Sequence, residues 1–332
     1  MKMSLRLVNG GIVLALVVVL LGGWTRLNDA GLGCPDWPAC YGHLVLPAAD
    51  QVADRIAPHY PGHQVDLKKG WLEMIHRYAA SLLGLLILVQ ALWHWHQRGE
   101  RLLATGLLAL VLVQGLFGMW TVTLKLLPWV VTLHLLGGVA TLGLLVRLRQ
   151  KLKRRTRDRT QKRPAPAVRW LLAVLLLQLM LGGWTSSNYA GWACDSWWQC
   201  SAREEIQYDF ATGLNPLQAA GPNYEGGLLP APARAAIQMT HRLGALLVLA
   251  VLIWASVSLR HRARLKPWLG LCWLLTGGQM LLGILNVVWL LPLGLAVAHH
   301  FGAVLLWLAV LGLYERAHIK RTEVIHGYLF PG

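Results

Sequence analysis

Eight apolar stretches, each near the length that crosses a bilayer as a helix, dominate this 332-residue chain. They run near 7–24, 71–95, 102–124, 128–148, 170–184, 235–257, 268–290 and 293–314, and a helix needs about 20 such residues to span the hydrocarbon layer. The fifth is the shortest and has the least defined ends. With 55% hydrophobic and only 14% charged residues, the chain is too apolar for an ordinary soluble pair of domains. The expected fold is an all-α membrane protein with eight transmembrane helices.

Basic residues give the orientation. With the N-terminus inside, the inner segments hold 22 of the 31 Lys and Arg residues, eleven of them between Arg147 and Arg169. The outer loops and helix mouths hold the other nine, with eleven of the fifteen acidic residues. The positive-inside rule therefore places both termini in the cytoplasm. The net charge of +16 follows from this topology, and the run KLKRRTRDRTQKR is a cytoplasmic linker rather than a nucleic-acid site. The start, MKMSLRLVNGG, runs almost directly into the first span without an Arg- and Ser-rich transit segment. A bacterial inner membrane is the expected location, with a processed mitochondrial protein as the alternative.

The chain is also duplicated. LGGWT occurs at 21–25 and at 181–185, and each copy is followed by two cysteines, Cys34 and Cys40 in the first case and Cys194 and Cys200 in the second. At a shift of 165, EMIHRY (73–78) aligns with QMTHRL (238–243), QGLFG (114–118) with QMLLG (279–283), and HLLG (134–137) with HHFG (299–302). Four landmarks in one order imply two four-helix units. An even number of spans per unit gives them the same orientation, a parallel repeat about an axis along the membrane normal. The expected division is 1–148 for one bundle, 149–169 for the basic linker and 170–332 for the second bundle.

The matched histidines form one layer. His76, His134, His241 and His299 each lie five to seven residues from the expected outer mouth of their helices, roughly 8–11 Å deep at the rise of an α-helix. An imidazole in hydrocarbon faces the bundle interior or a partner. Two per four-helix unit is a sensible way to grip a haem iron from both sides. The expected pairs are His76 with His134 and His241 with His299. Zinc is the rival occupant, but a structural zinc takes four close ligands and each half repeats only two. His300 adjoins His299 and competes with it as a ligand; the shared His-x-x-Gly spacing favours His299. Arg77 and Arg242 follow two of the histidines, and either snorkel to headgroups or salt-bridge a haem propionate. Gly22-Gly23, Gly137-Gly138 and Gly277-Gly278 permit close helix approach.

Chemistry is sought where the repeat loses its symmetry. Position 73 is Glu and its counterpart 238 is Gln; Arg26 follows the first LGGWT and Ser186 the second. Glu73 lies one turn from His76 on the same helical face. It either handles protons at a bound ring or, as an acid in the first turn of its helix, complements the macrodipole. Each cysteine pair either closes a small outer loop as a structural disulfide, in the compartment where disulfides persist, or is redox-active. Cys272, inside the seventh span, is a packing residue.

The runs GGWTRLNDAGLGCPDWPAC and EMIHR, the later LH-x-x-G and the THR and AHH of the second half together resemble the heme A synthase family over nearly the whole chain. The resemblance implies an eight-span enzyme that oxidises the C8 methyl of heme O to the formyl of heme A for cytochrome oxidase, with water as the oxygen source. It implies substrate in the N-terminal half, with His76 and His134 at the ligand positions and Glu73 as the acidic catalytic residue. It further implies a heme b in the C-terminal half with His241 and His299 as axial ligands, and raises a redox role for Cys34 and Cys40. Heme O synthase and cytochrome oxidase assembly factors are the partners to expect, beside membrane lipid. A di-haem transmembrane electron carrier is the alternative, although it has no evident use for Glu73 in one half only. A transporter would place its polar layer nearer the midplane.

Overall fold

The computed structural model describes residues 2–48, 51, 60, 65–154, 163–197, 199–200 and 207–319. Among these are eight helices long and apolar enough to cross a membrane. They are α1 (Lys2–Leu27), α2 (Leu67–His96), α3 (Arg101–Thr123), α4 (Pro128–Arg154), α5 (Pro166–Ser187), α6 (Ala231–Leu259), α7 (Lys266–Val288) and α8 (Leu293–Arg316). The eight expected spans are all present, and α5 is the shortest at 22 residues. The centre of the basic linker, 155–162, lies outside the described residues.

Helix ends follow capping chemistry rather than hydropathy. Asp66 accepts a hydrogen bond from the Lys69 N–H and starts α2 four residues before the apolar run does. Pro230 precedes α6 and a second proline lies in its first turn, where a missing N–H costs nothing. One consequence is a correction: Glu73 stands in the second turn of α2, whose first turn carries no acid, so a macrodipole role does not account for it. The depth count changes too, because His76 and His241 are nine and ten residues into their helices while His134 and His299 are each six residues in.

α1 to α4 form one bundle and α5 to α8 the other, with α4 against α5, α1 against α8 and α4 against α8 along the seam. Left-handed backbone recurs at corresponding places. Lys125 and Leu126 in the α3–α4 turn have φ of 48° and 62°, and Leu290 and Leu291 in the α7–α8 turn have 56° and 59°. Asp29 after α1 (50°) matches Tyr189 after α5 (54°). Positive φ is uncommon outside glycine, and these turns stand at matching places in the sequence repeat.

The main apolar core is shared and one-sided. Leu142, Leu145 and Leu148 of α4, Leu171 of α5, Leu252 and Leu259 of α6 and Leu313 of α8 are fully buried in a single cluster at the linker end of the bundles. There, Arg163–Pro164 pairs antiparallel with His318–Ile319 and ties the linker to the end of α8. The cysteine loops lie at the opposite end, over smaller buried clusters of their own.

Candidate functional site

Two imidazole pairs occupy the end nearer those loops. The rings of His76 (α2) and His134 (α4) have centres 6.4 Å apart at 87°, and those of His241 (α6) and His299 (α8) have centres 6.5 Å apart at 79°. Metal–imidazole bonds of about 2 Å set opposed ring centres roughly 6 Å apart across one ion. Both couples have that spacing. The Nδ1 atoms of His76, His134 and His299 are buried without a well-aligned hydrogen bond, and the rings face the backbone of Val18, Gln114 and Gln279 respectively.

Glycines make the space. A methyl at Gly22 would lie 2.9 Å from the His76 ring, one at Gly182 3.3 Å from His241, one at Gly118 3.4 Å from His134 and one at Gly283 3.5 Å from His299. Gly22 corresponds to Gly182 and Gly118 to Gly283, so each ring has the same bare backbone beside it. Of the glycine pairs read from sequence, Gly22-Gly23 and Gly137 do sit against neighbouring side chains. Gly277 and Gly278 have nothing within 4 Å and mediate no close approach.

His300 turns away from its neighbour. Its Nε2 lies 3.1 Å from the Val19 carbonyl, and the ring rests on Gly23 of α1 in the other bundle. Its counterpart, Leu135, rests in the same manner on Gly183. His299 is therefore the residue opposite His241, and His300 is a seam contact. More of the seam is polar: Arg26 donates to the Ser186 carbonyl, ion-pairs with Asp29 at 3.0 Å and stacks on Tyr189 at 4.2 Å, and the Tyr189 hydroxyl donates to Asp29 at 2.9 Å.

The surroundings of the two couples differ. Glu73 is 5% exposed and accepts the Cys34 N–H at 2.9 Å, while its other oxygen pairs with the Arg77 guanidinium. Arg77 also donates to the carbonyls of Pro38 (3.2 Å) and Ala39. One buried ion pair thus grips both ends of the loop closed by the Cys34–Cys40 disulfide. Gly33 lets that loop lie on α2, since a side chain there would meet the backbone of Lys69 and Gly70. Within the same end, burial first, and then the charges of Asp66, Glu73 and Asp36, push the Tyr41 phenol up to about 12, so it stays neutral.

At the second couple the acid is absent. Gln238 is buried where Glu73 stands in the first half, and Arg242 donates to the Trp197 carbonyl at 2.9 Å, while its Nη2 is buried with no partner among the described residues. A cavity of about 900 Å³ opens here, lined by His241, His299, Arg242 and Gln178 and reaching across the seam to Arg26 and His134. Cys194 and Cys200 also form a disulfide, and Cys272 is buried and free, as expected. Gln178, whose amide lies against His241, is a site residue that sequence reasoning missed. A lone Gln within LLLQLML was the available signal.

Among the described residues no group of three or more His, Cys, Asp or Glu side chains is placed to hold a metal ion. A macrocycle that supplies its own equatorial nitrogens needs only two opposed imidazoles and an apolar space beside them; both couples have the imidazole spacing, and the cavity lies at His241 and His299.

The family profile described as cytochrome oxidase assembly protein, COX15-CtaA, matches residues 6–311, which reach from the first span into the eighth. The heme A synthase of Shewanella oneidensis is 42% identical over 308 residues, covering 90% of this chain and 92% of that protein. This chain belongs to the heme A synthase family. The heme A synthases of Maricaulis maris and a Chelativorans species are 27% and 29% identical, over 90% and 96% of this chain and 92% and 90% of theirs. With eight apolar helices, this member of the heme A synthase family is a multi-pass membrane protein.

Proposed function

We propose that this protein converts heme O to heme A by oxidising the C8 methyl to a formyl group, with water as the source of the new oxygen, for cytochrome oxidase. The N-terminal bundle takes heme O between His76 and His134. The C-terminal bundle takes heme b between His241 and His299, with Arg242 on a propionate. The two bundles form a parallel repeat with both termini in the cytoplasm and the cysteine loops in the periplasm of a bacterial inner membrane. The basic linker and the self-matching seam contacts, Arg26 with Ser186 and Asp29 with Tyr189, support that arrangement.

One observation carries the reading: of two equivalent imidazole couples, only one has a buried carboxylate a turn away. Oxidation of a methyl to an alcohol, and then to an aldehyde hydrate that loses water, removes two electrons and two protons at each of two stages. Glu73 is the group that takes up protons. Arg77 offsets its charge in a buried place, and the Cys34 N–H fixes its second oxygen, so the carboxylate is aimed before substrate arrives. Heme b, when bound, supplies one-electron acceptance. His241 and His299 would hold it, and Arg242, which has no ion pair among the described residues, has a buried N–H left for an anionic group. Arg77 is committed to Glu73 and the loop carbonyls, so a propionate on the substrate would have to share it.

The test is pigment extraction from purified protein. The wild type should yield heme b with heme O or heme A, and Glu73→Gln should retain heme b and heme O while forming heme A about 10²- to 10⁴-fold more slowly. Wild-type levels of heme A in that variant would refute the assignment of Glu73. Heme b alone in every preparation would instead mark an electron carrier.

A further inference from the structure

The long outer loop of the second bundle does not stay on that bundle. Residues 218–227 form a strap rooted at the end of α5, where Gln218 Nε2 donates to Asn188 Oδ1 at 2.9 Å and a side chain at Gly227 would meet the Asn188 carbonyl at 3.0 Å. From there the strap crosses the seam. Tyr224, 5% exposed, packs in a cluster with Leu126, Leu127 and Val130, and its N–H donates to the Lys125 carbonyl at 3.0 Å. The next residue, Glu225, pairs with Lys69 at 3.6 Å. Tyr224 therefore holds the start of α4, about one turn before His134, and Glu225 holds the start of α2, one turn before Glu73 and two before His76. Two adjacent residues of one half thus join, at their outer ends, the two helices whose histidines face each other in the other half. At the matching α7–α8 turn, Leu291, the counterpart of Leu126, is only partly buried, and Trp289 and Leu290 are exposed.

We propose that Tyr224 and Glu225 form a clasp over the outer mouth of the N-terminal site, with Tyr224 as its anchor and the Glu225–Lys69 pair as a catch that lets go of α2 when heme O enters or heme A leaves. This rests on the reading of His76 and His134 as the ligands of the substrate. A ring gripped between α2 and α4 passes the outer mouth only when the bridge between their starts opens. The two arms of that bridge are unequal. An aromatic side chain buried in an apolar cluster is costly to remove, whereas an ion pair whose side chains are 35% and 36% exposed contributes little and is screened by salt. The catch is the arm that yields. Glycines flank the tip of the strap: Gly221, Gly226 and Gly227 have φ of 119°, 81° and 82°, where a side chain would be strained. They allow the backbone on both sides of Tyr224 and Glu225 to swing. Both are positioning residues, since they touch the ligand helices and not the reacting methyl.

The experiment follows loss of heme O and of heme b from the purified full-length protein to excess apomyoglobin, for wild type, Lys69→Glu, Glu225→Lys, the double reversal and Tyr224→Ala. Exposed ion pairs contribute little, so each single reversal should speed heme O loss about two- to fivefold. The double reversal rebuilds the pair with its charges exchanged and should return to the wild-type rate. Raised salt should speed the wild type and slow both single reversals, because it screens attraction in one case and repulsion in the other. Tyr224→Ala should release heme O at least about tenfold faster. Loss of heme b should stay at the wild-type rate throughout. Wild-type heme O loss in every variant would overturn the clasp and direct the substrate's route through the lipid face. A double reversal no nearer wild type than the single ones, or heme b loss that moves in step with heme O, would overturn it as well. If Tyr224→Ala fails to accumulate, the charge reversals carry the test without it. Heme O that stays bound when His76→Ala and His134→Ala are combined would instead remove the reading on which the clasp rests, a result separate from every rate comparison.

Discussion

The two imidazole couples are nearly identical in spacing, 6.4 and 6.5 Å, and in the glycines beside the rings, and unlike in the charged and amide groups around them. Beside His76 stand a carboxylate, a guanidinium already spent on it, and a disulfide-closed loop hung from both. Beside His241 stand a neutral amide at the carboxylate's position, an arginine with a buried N–H to spare, and a second amide laid on the ring. The spacing of the imidazoles is duplicated without change. What diverges is the charge beside each couple, and on the proposed function that difference separates a place for reaction from a place for a resident cofactor.

The comparison breaks most severely at the ligands. His241→Ala should abolish the heme b absorption spectrum while heme O still binds; an unaltered spectrum would remove His241 from the ligand set. Exchange of the one-sided acid comes next. General acid–base groups contribute about 10²- to 10⁴-fold, so Glu73→Gln should slow heme A formation by that order, measured as product per bound heme O. A smaller effect belongs to the unpaired cation. Hydrogen bonds to charged groups are worth about 1.5–3 kcal/mol, so Arg242→Leu should weaken heme b retention roughly 10- to 100-fold, whereas Arg77→Leu should act mainly on activity by freeing Glu73. The smallest change sharpens the loop's role. Cys34→Ser with Cys40→Ser should lower thermal stability by an amount within the 0–5 kcal/mol range of disulfides. Because Glu73 and Arg77 still hold the loop's backbone, activity should fall only severalfold; its complete loss with the fold intact would assign the thiols a redox step.

Much of this was legible before any coordinates. Apolar runs fix helices in a membrane because no other backbone arrangement satisfies itself there, and the four histidines and the Glu73/Gln238 difference stand out against a repeat. Helix starts were less legible: Asp66 and Pro230 lie outside the apolar stretches, and it is their capping that moved α2 and α6 outward and took Glu73 out of the first turn. The direction of His300 depends on which face of α8 meets α1, and a run of near-uniform hydropathy does not encode helix rotation. Gln178 was visible as a polar residue in a greasy run, yet its partner on α6 follows only from the packing of two helices against each other.

The common cluster of α4, α5, α6 and α8 at the linker end has a consequence for the molecule's integrity. Leu142, Leu145, Leu171 and Leu313 belong to neither repeat alone, and in lipid such interlocked side chains hold by contact rather than by flight from water. Nicking the connection between Arg154 and Arg163 should therefore yield two polypeptides that co-purify as one particle. Each fragment expressed without the other would present half of a dismantled joint to the bilayer.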